Sequence, residues 1–211
     1  MPDLGQFAIV LGALLFSLTI HEMAHAVTAL WYGDSTAQRL GRISLNPLVH
    51  LDPVGSLLLP VMGFFFTGFI FGWAKPVPVN PANLKNHRQD FLVIAAAGPA
   101  SNILLAALGT LLLGIVDPDP TSGSQVGAVI DFFIRINILL AVFNMLPIPP
   151  LDGGNVLAGL LPERLAAAFD RTIRPIGFLI VLGLLLTGTL SALIGGPITF
   201  IRGLLNGWLL P

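Results

Sequence analysis

QFAIVLGALLFSLTIHEMAHAVTALWY, residues 6–32, decides how this chain folds. The stretch is apolar apart from HEMAH and the small polar residues Ser17, Thr19 and Thr28, and it ends at Gly33 and Asp34. At about 1.5 Å of rise per residue, such a run is long enough to cross the ~30 Å hydrocarbon core of a bilayer as one helix. Yet it carries His21, Glu22 and His25 near membrane depth. An ionisable group there costs at least about 2.5 to 3.5 kcal/mol on insertion scales, so something must offset three of them together.

The spacing says what. His21 and His25 are four apart, so on a helix they leave the same face one turn apart and can share one Zn²⁺. Glu22 stands beside them, where a carboxylate can act as general base toward water without being a ligand; this is the mechanical content of HExxH in metalloproteases. The chain has only four His and two Glu. Random placement of HExxH therefore has odds on the order of one in a thousand. A purely structural polar cluster would need partners that the surrounding Leu, Ile, Ala and Val cannot supply, whereas a cation in a hydrated cavity offsets the cost directly.

Two histidines need a further protein ligand. With no cysteine in the chain, His and carboxylate are the ligands available. Asp152 lies in NMLPIPPLDGG, residues 144–154, where prolines end a hydrophobic helix and two glycines let the chain bring a carboxylate to the interior. It ranks above His50 and Asp52, which lie in the polar loop HLDP and either gate the site, support it from behind the ligands, or simply form a solvated turn.

The rest of the chain reads the same way. Of 211 residues, 55% are hydrophobic and 10% charged, against about 25% charged in an ordinary soluble domain, and mean hydropathy is +0.86. The expectation is one membrane domain over residues 1–211, an all-α polytopic protein with about five to six hydrophobic segments. The N-terminus lacks a basic region or a cleavage site, so the first segment is expected to be retained. A net charge of -1 without a basic tail excludes a nucleic-acid partner, and membrane lipid surrounds the chain instead. No repeat is visible, and no signal specifies an oligomeric state.

Residues 35–53 are polar, with a short alternation, RISL at 42–45, that predicts a β element. Residues 54–73 are apolar but broken by Pro60, Gly63, Gly68 and Gly72, which predicts a re-entrant hairpin. A proline-rich loop at 74–90, a spanning helix at 91–116, an acidic loop at 117–125 and a helix at 126–146 follow. After Asp152 come a short helical piece, a basic stretch, a spanning helix at 175–194 and a last apolar segment beyond Gly195, Gly196 and Pro197. If 54–73 crossed, Arg39 and Arg42 would face away from Lys75, Lys85, Arg88, Arg164, Arg171 and Arg174. If it returns, all of these share one side, which the preference of Lys and Arg for cytoplasmic loops makes the cytoplasmic one.

With these residues assembled, the sequence resembles the site-2 protease family of intramembrane zinc metalloproteases, and in particular its short prokaryotic members without an appended PDZ or CBS domain. HEMAH at 21–25 fits the family's HExxH, NMLPIPPLDGG at 144–154 fits NxxPxxxLDG, and AGPASN at 97–102 looks like its glycine-proline helix motif. ISLNPLVHLDPVGSLLLP and GWAKPVPVN also look like segments of those members. The resemblance implies that His21, His25 and Asp152 bind one Zn²⁺, that Glu22 activates water, and that Asn144 helps position substrate or steady the oxyanion. It further implies a three-helix catalytic core in the cell membrane, an active site nearer the cytoplasmic face, and a substrate that is itself a membrane-spanning segment, cut in regulated intramembrane proteolysis. Because a helix hides its carbonyls in i to i-4 bonds, such a substrate must unwind before attack; RISL or the 54–73 hairpin would offer it an edge. The rival reading is a transporter or ion pathway built on an intramembrane His/Asp site.

Overall fold

A computed structural model describes residues 4–67, 72–117 and 123–209. The apolar run quoted above forms α1, Leu4–Trp31. It stops at Gly33, whose φ of +102° is one that glycine adopts without a Cβ penalty. Gly33 N–H donates to Leu30 O and Asp34 N–H to Ala29 O, a Schellman closure of the helix end. After a short α2, Thr36–Arg39, comes α3, Leu59–Met62, flanked by wider π-type turns over Pro53–Leu58 and Gly63–Thr67.

Two long helices complete the centre: α4, His87–Val116, and α5, Gln125–Asn144. α4 starts earlier than the proline-rich sequence before it suggests, because Asp90 Oδ2 accepts the Asn86 N–H at 2.8 Å and caps the first turn. α1, α4 and α5 pack on one another, and α4 also carries α6, Asp152–Leu160. The buried apolar residues fall in three clusters: Leu14, Leu18, Ala74, Ile136 and Leu140; Ala29, Leu84 and Ile94; and Ala106, Ile134 and Ile138. Among the described residues, α1, α4 and α5 are long and apolar enough to cross a membrane.

The remaining helices are α7, Glu163–Thr172, α8, Gly177–Leu186, and α9, Thr189–Leu209. The run from Glu163 to Leu186 meets α9 at 84°, and only as one bent pair do the two make a fourth apolar span. A helix over 175–194 is therefore a misreading. The break falls at Gly188, with φ +72°, where Thr187 N–H donates to Gly183 O and Gly188 N–H to Leu185 O. Gly195, Gly196 and Pro197 lie inside α9 instead. Three such helices, the bent pair and the apolar stretch around α3 are the hydrophobic segments among the described residues.

The β element is overturned too: no strand occurs among the described residues. Two backbone groups of RISL that a ladder would use are engaged in a turn and by a side chain instead. Arg42 N–H donates to Ala37 O, the Arg42 guanidinium is buried and donates to Lys75 O, and Ser44 O accepts from His50 Nε2. No ladder can form on groups so engaged.

In segment 54–73, residues 68–71 lie outside the described residues, but its two ends meet. Trp73 N–H donates to Gly55 O at 3.1 Å, and Ser56 Oγ to Trp73 O at 2.8 Å. The Trp73 ring lies so close over Gly55 that a Cβ there would sit 2.4 Å from it.

Candidate metal centre

Three elements converge on one point. α1 presents His21 and His25, both buried, with Nε2 atoms 3.0 Å apart. Asp152, the first residue of α6, brings Oδ2 to 3.1 Å from His21 Nε2 and 3.4 Å from His25 Nε2. The LDGG sequence makes this approach possible, since a Cβ on Gly153 would meet Met145 O at 2.3 Å and one on Gly154 would meet Pro149 N at 2.6 Å. Only glycines let the PIPP turn fold back against the start of α6.

α4 shapes the other side with residues at four-residue steps. Ile94 O accepts from His25 Nδ1 at 2.7 Å, and Asn102 Oδ1 is 2.7 Å from His21 Nδ1. Between them, Gly98 leaves the space for the rings: a Cβ there would stand 2.4 Å from His25 Nε2 and 2.5 Å from His21 Nε2. Since His21 pairs with the later residue and His25 with the earlier one, α1 and α4 run antiparallel.

These bonds test whether a metal fits. A backbone carbonyl only accepts, so the His25 proton sits on Nδ1, and with the ring neutral its Nε2 offers a lone pair. His21 is held alike by Asn102. Two imidazole lone pairs and a carboxylate oxygen then face one another, and Asp152 Oδ2 is buried without a hydrogen-bond donor. Such a cluster of acceptors is unfavourable unless a cation lies among them, and the three ligand atoms lie within 4.8 Å of one another, as one ion requires. The donor set, two imidazoles and a carboxylate, suits zinc.

Glu22 is outside this trio. The extended segment after the hairpin holds it: Val77 N–H donates to Glu22 Oε2 at 2.8 Å. The same segment bonds His50 O through Lys75 N–H at 2.8 Å, and Asp34 Oδ2 through Asn80 N–H at 2.7 Å. Arg42 lies within the electrostatic reach of Glu22; burial pushes its guanidinium below the ordinary value and the Glu22 charge draws it back up. Burial also pushes the Asp34 carboxyl up, but hydrogen bonds from Thr36, Asn83 and Asn80 outweigh it and hold the group below its usual range.

A cavity of about 430 Å³ opens beside the cluster. His21, Glu22, Asp152 and Asn144 are in its lining, with apolar residues that include Leu18, Leu140, Phe143, Phe178 and Val181. Asn144 Nδ2 donates to Leu140 O of its own helix at 3.0 Å. His50 and Asp52 are not in the metal group. Asp52 Oδ1 accepts from Val54 N–H and Gly55 N–H and so caps the start of the hairpin. His50 ties Ser44 to Lys75 and thus holds the loop against the segment that reaches Glu22. Sequence reasoning missed Gly98 and Val77. AGPASN carried the signal for Gly98, but a contact through a backbone N–H such as that of Val77 leaves none in side-chain identity.

Comparison with known proteins identifies the family. The model of peptidase family M50 matches residues 108–188, which include Asn144 and Asp152. The chain is 37% identical over 179 residues, 82% of its length and 78% of the relative's, to a Bacillus subtilis protein named "Putative zinc metalloprotease YwhC". It is 35% identical over 195 residues, 89% of this chain and 70% of the relative, to the similarly named Rip2 of Mycolicibacterium smegmatis. No solved structure matches.

A helical membrane protein with a His/His/Asp centre and an adjacent Glu is, as a class, an intramembrane zinc metalloprotease. This chain belongs to peptidase family M50, the site-2 protease family. The transporter reading finds no support in these relatives.

Proposed function

We propose that the 211-residue chain acts as a single protease domain on membrane-spanning protein segments, with His21, His25 and Asp152 holding one zinc ion. The observation that carries this is the convergence of His21 Nε2, His25 Nε2 and Asp152 Oδ2 beside Glu22, at the wall of an apolar cavity. The bound ion supplies Lewis-acid activation of water and of the scissile carbonyl. Glu22, oriented through Oε2 by Val77, takes the proton of the attacking water on Oε1 and delivers it to the leaving amine. Asn144, at the rim of the cavity, turns its amide from Leu140 O toward the substrate carbonyl. The apolar lining receives side chains of a segment that has unwound locally, because intact helical carbonyls are already hydrogen-bonded. The Lys and Arg of the polar loops support a site nearer the cytoplasmic face of the cell membrane.

The test is zinc content and cleavage of a model transmembrane substrate by purified protein in detergent. Wild type should carry about one zinc and cut; Glu22→Gln should keep the metal and lose cleavage; Asp152→Ala should lose both. A wild type without metal, or a Glu22→Gln variant that cuts normally, would overturn the assignment.

A further inference from the structure

Behind His21, on the side away from Asp152, runs a chain of hydrogen bonds across three helices. Asn137 of α5 donates from Nδ2 to Phe133 O at 2.9 Å and to Ser17 Oγ at 2.9 Å. Because Phe133 O only accepts, the Asn137 amide has one orientation, and its Oδ1 must accept. Asn102 Nδ2 donates to that Oδ1 at 2.9 Å and to Ser17 O at 3.5 Å. Asn102 is thereby oriented in turn, and only its Oδ1 remains for His21 Nδ1, at 2.7 Å. Ser17, Asn102 and Asn137 each have 0% exposure.

Buried amides at membrane depth are costly when not fully paired, and simple helix packing would not need them. This arrangement is directional: each amide can bond its neighbour in only one sense, and the sense ends at a ring nitrogen. We propose that Asn137 and Asn102 form a relay that fixes His21 with its proton on Nδ1 and its Nε2 lone pair aimed at the metal position, making both asparagines positioning residues of the centre. His25 gets the same service from Ile94 O, which has no alternative orientation. His21 depends on a side-chain amide that could flip, and Asn137 Oδ1, with the longer bond to Ser17 O, prevents the flip. Groups that orient a metal-bound imidazole typically change metal affinity about 10- to 100-fold when removed.

The inference rests on His21 being a metal ligand, so the experiment separates the two. Zinc affinity is measured by chelator competition on purified protein in detergent for wild type, His21→Ala, Asn102→Leu, Asn102→Asp and Asn137→Leu. The ring-nitrogen shifts of His21 are recorded by ¹⁵N NMR in the metal-free protein. The relay predicts His21 as the Nδ1–H tautomer in wild type and a shift toward Nε2–H in Asn102→Leu. It also predicts zinc affinity about 10- to 100-fold weaker in Asn102→Leu, a smaller loss in Asn137→Leu, and only partial recovery in Asn102→Asp, which keeps an acceptor for Nδ1–H but sets a carboxylate oxygen against Asn137 Oδ1 and Ser17 O. If His21→Ala binds zinc like wild type, the ligand assignment fails. If His21→Ala loses zinc but Asn102→Leu does not, the relay alone fails. Should Asn102→Leu not fold, the wild-type tautomer still decides: a metal-free His21 carrying its proton on Nε2, or a mixture, overturns the relay.

Discussion

At the residue scale, the smallest side chain near the metal carries the sharpest consequence. Gly98 faces the two Nε2 atoms at distances where a methyl group would stand inside both rings' contact radii. α4 cannot retreat to make room, because Ile94 and Asn102, one turn to either side, are bonded to the same histidines. Gly98→Ala should therefore fold but bind zinc at least about tenfold more weakly, since a tenfold loss needs only ~1.4 kcal/mol of displacement from ideal geometry. Gly109→Ala is the control. Its Cβ would meet Ile134 Cγ1 at 2.9 Å, so overpacking of about 1–3 kcal/mol should appear in thermal stability with zinc affinity unchanged. Equal zinc affinity in Gly98→Ala and wild type would show that the rings do not need the space the glycine leaves.

At the element scale, the segment from Trp73 to Asn80 works as a strap. Its bonds to Gly55, His50, Glu22 and Asp34 tie together the hairpin, the polar loop, α1 and the turn that follows α1. Pro76 and Pro78 favour an extended backbone without any ladder. Val77→Pro deletes one donor, the one that holds Glu22. A hydrogen bond to a charged group is worth about 1.5–3 kcal/mol, so kcat should fall about tenfold or more with zinc content unaltered. Unchanged kcat would show that Glu22 is oriented by something else. The other anchor is pH-sensitive. The Asp34 carboxyl is held below its ordinary value, so its contribution is complete above that ordinary value and is lost as pH falls through the lowered one. The protection factor of the Asn80 amide, its exchange measured against the intrinsic rate at each pH, should fall in acid in wild type and be low already at neutral pH in Asp34→Ala. The strap also marks where sequence reading stops. HExxH and LDGG are legible because the chemistry lives in side chains at fixed spacing. RISL misleads because its alternation resembles a strand, while Arg42 is turned inward to a carbonyl. Gly188 passes for one glycine among many in an apolar run, although its positive φ ends α8.

At the scale of the whole molecule, the proposed metal centre is a joint. His21 and His25 come from the first span, Asp152 from a short helix after the third, and α4 stands between them as the scaffold both lean on. With neither a metal ion nor a proton among them, three electron-rich atoms at 3.0–3.4 Å repel one another, and a shared proton ties them less firmly than one ion bonded to all three. The weakest place to relieve that repulsion is the start of α6, whose nine residues hold less backbone bonding than the long helices. Chelation should therefore loosen α6 first: hydrogen exchange at Gly154–Val156 should rise while the middle of α4 stays protected. The thermal midpoint should fall with it, since a ligand at 100 times its Kd stabilises by about 2.7 kcal/mol. Glu22→Gln removes no ligand and should show the same drop on chelation as wild type. Asp152→Ala should begin at the lowered midpoint and respond to neither chelator nor zinc. If chelation leaves the midpoint and α6 exchange of wild type unchanged, the ion contributes chemistry but does not join the helices. The catalytic geometry would then have to be held by α4 and the Asn102–Asn137 bonds without its help.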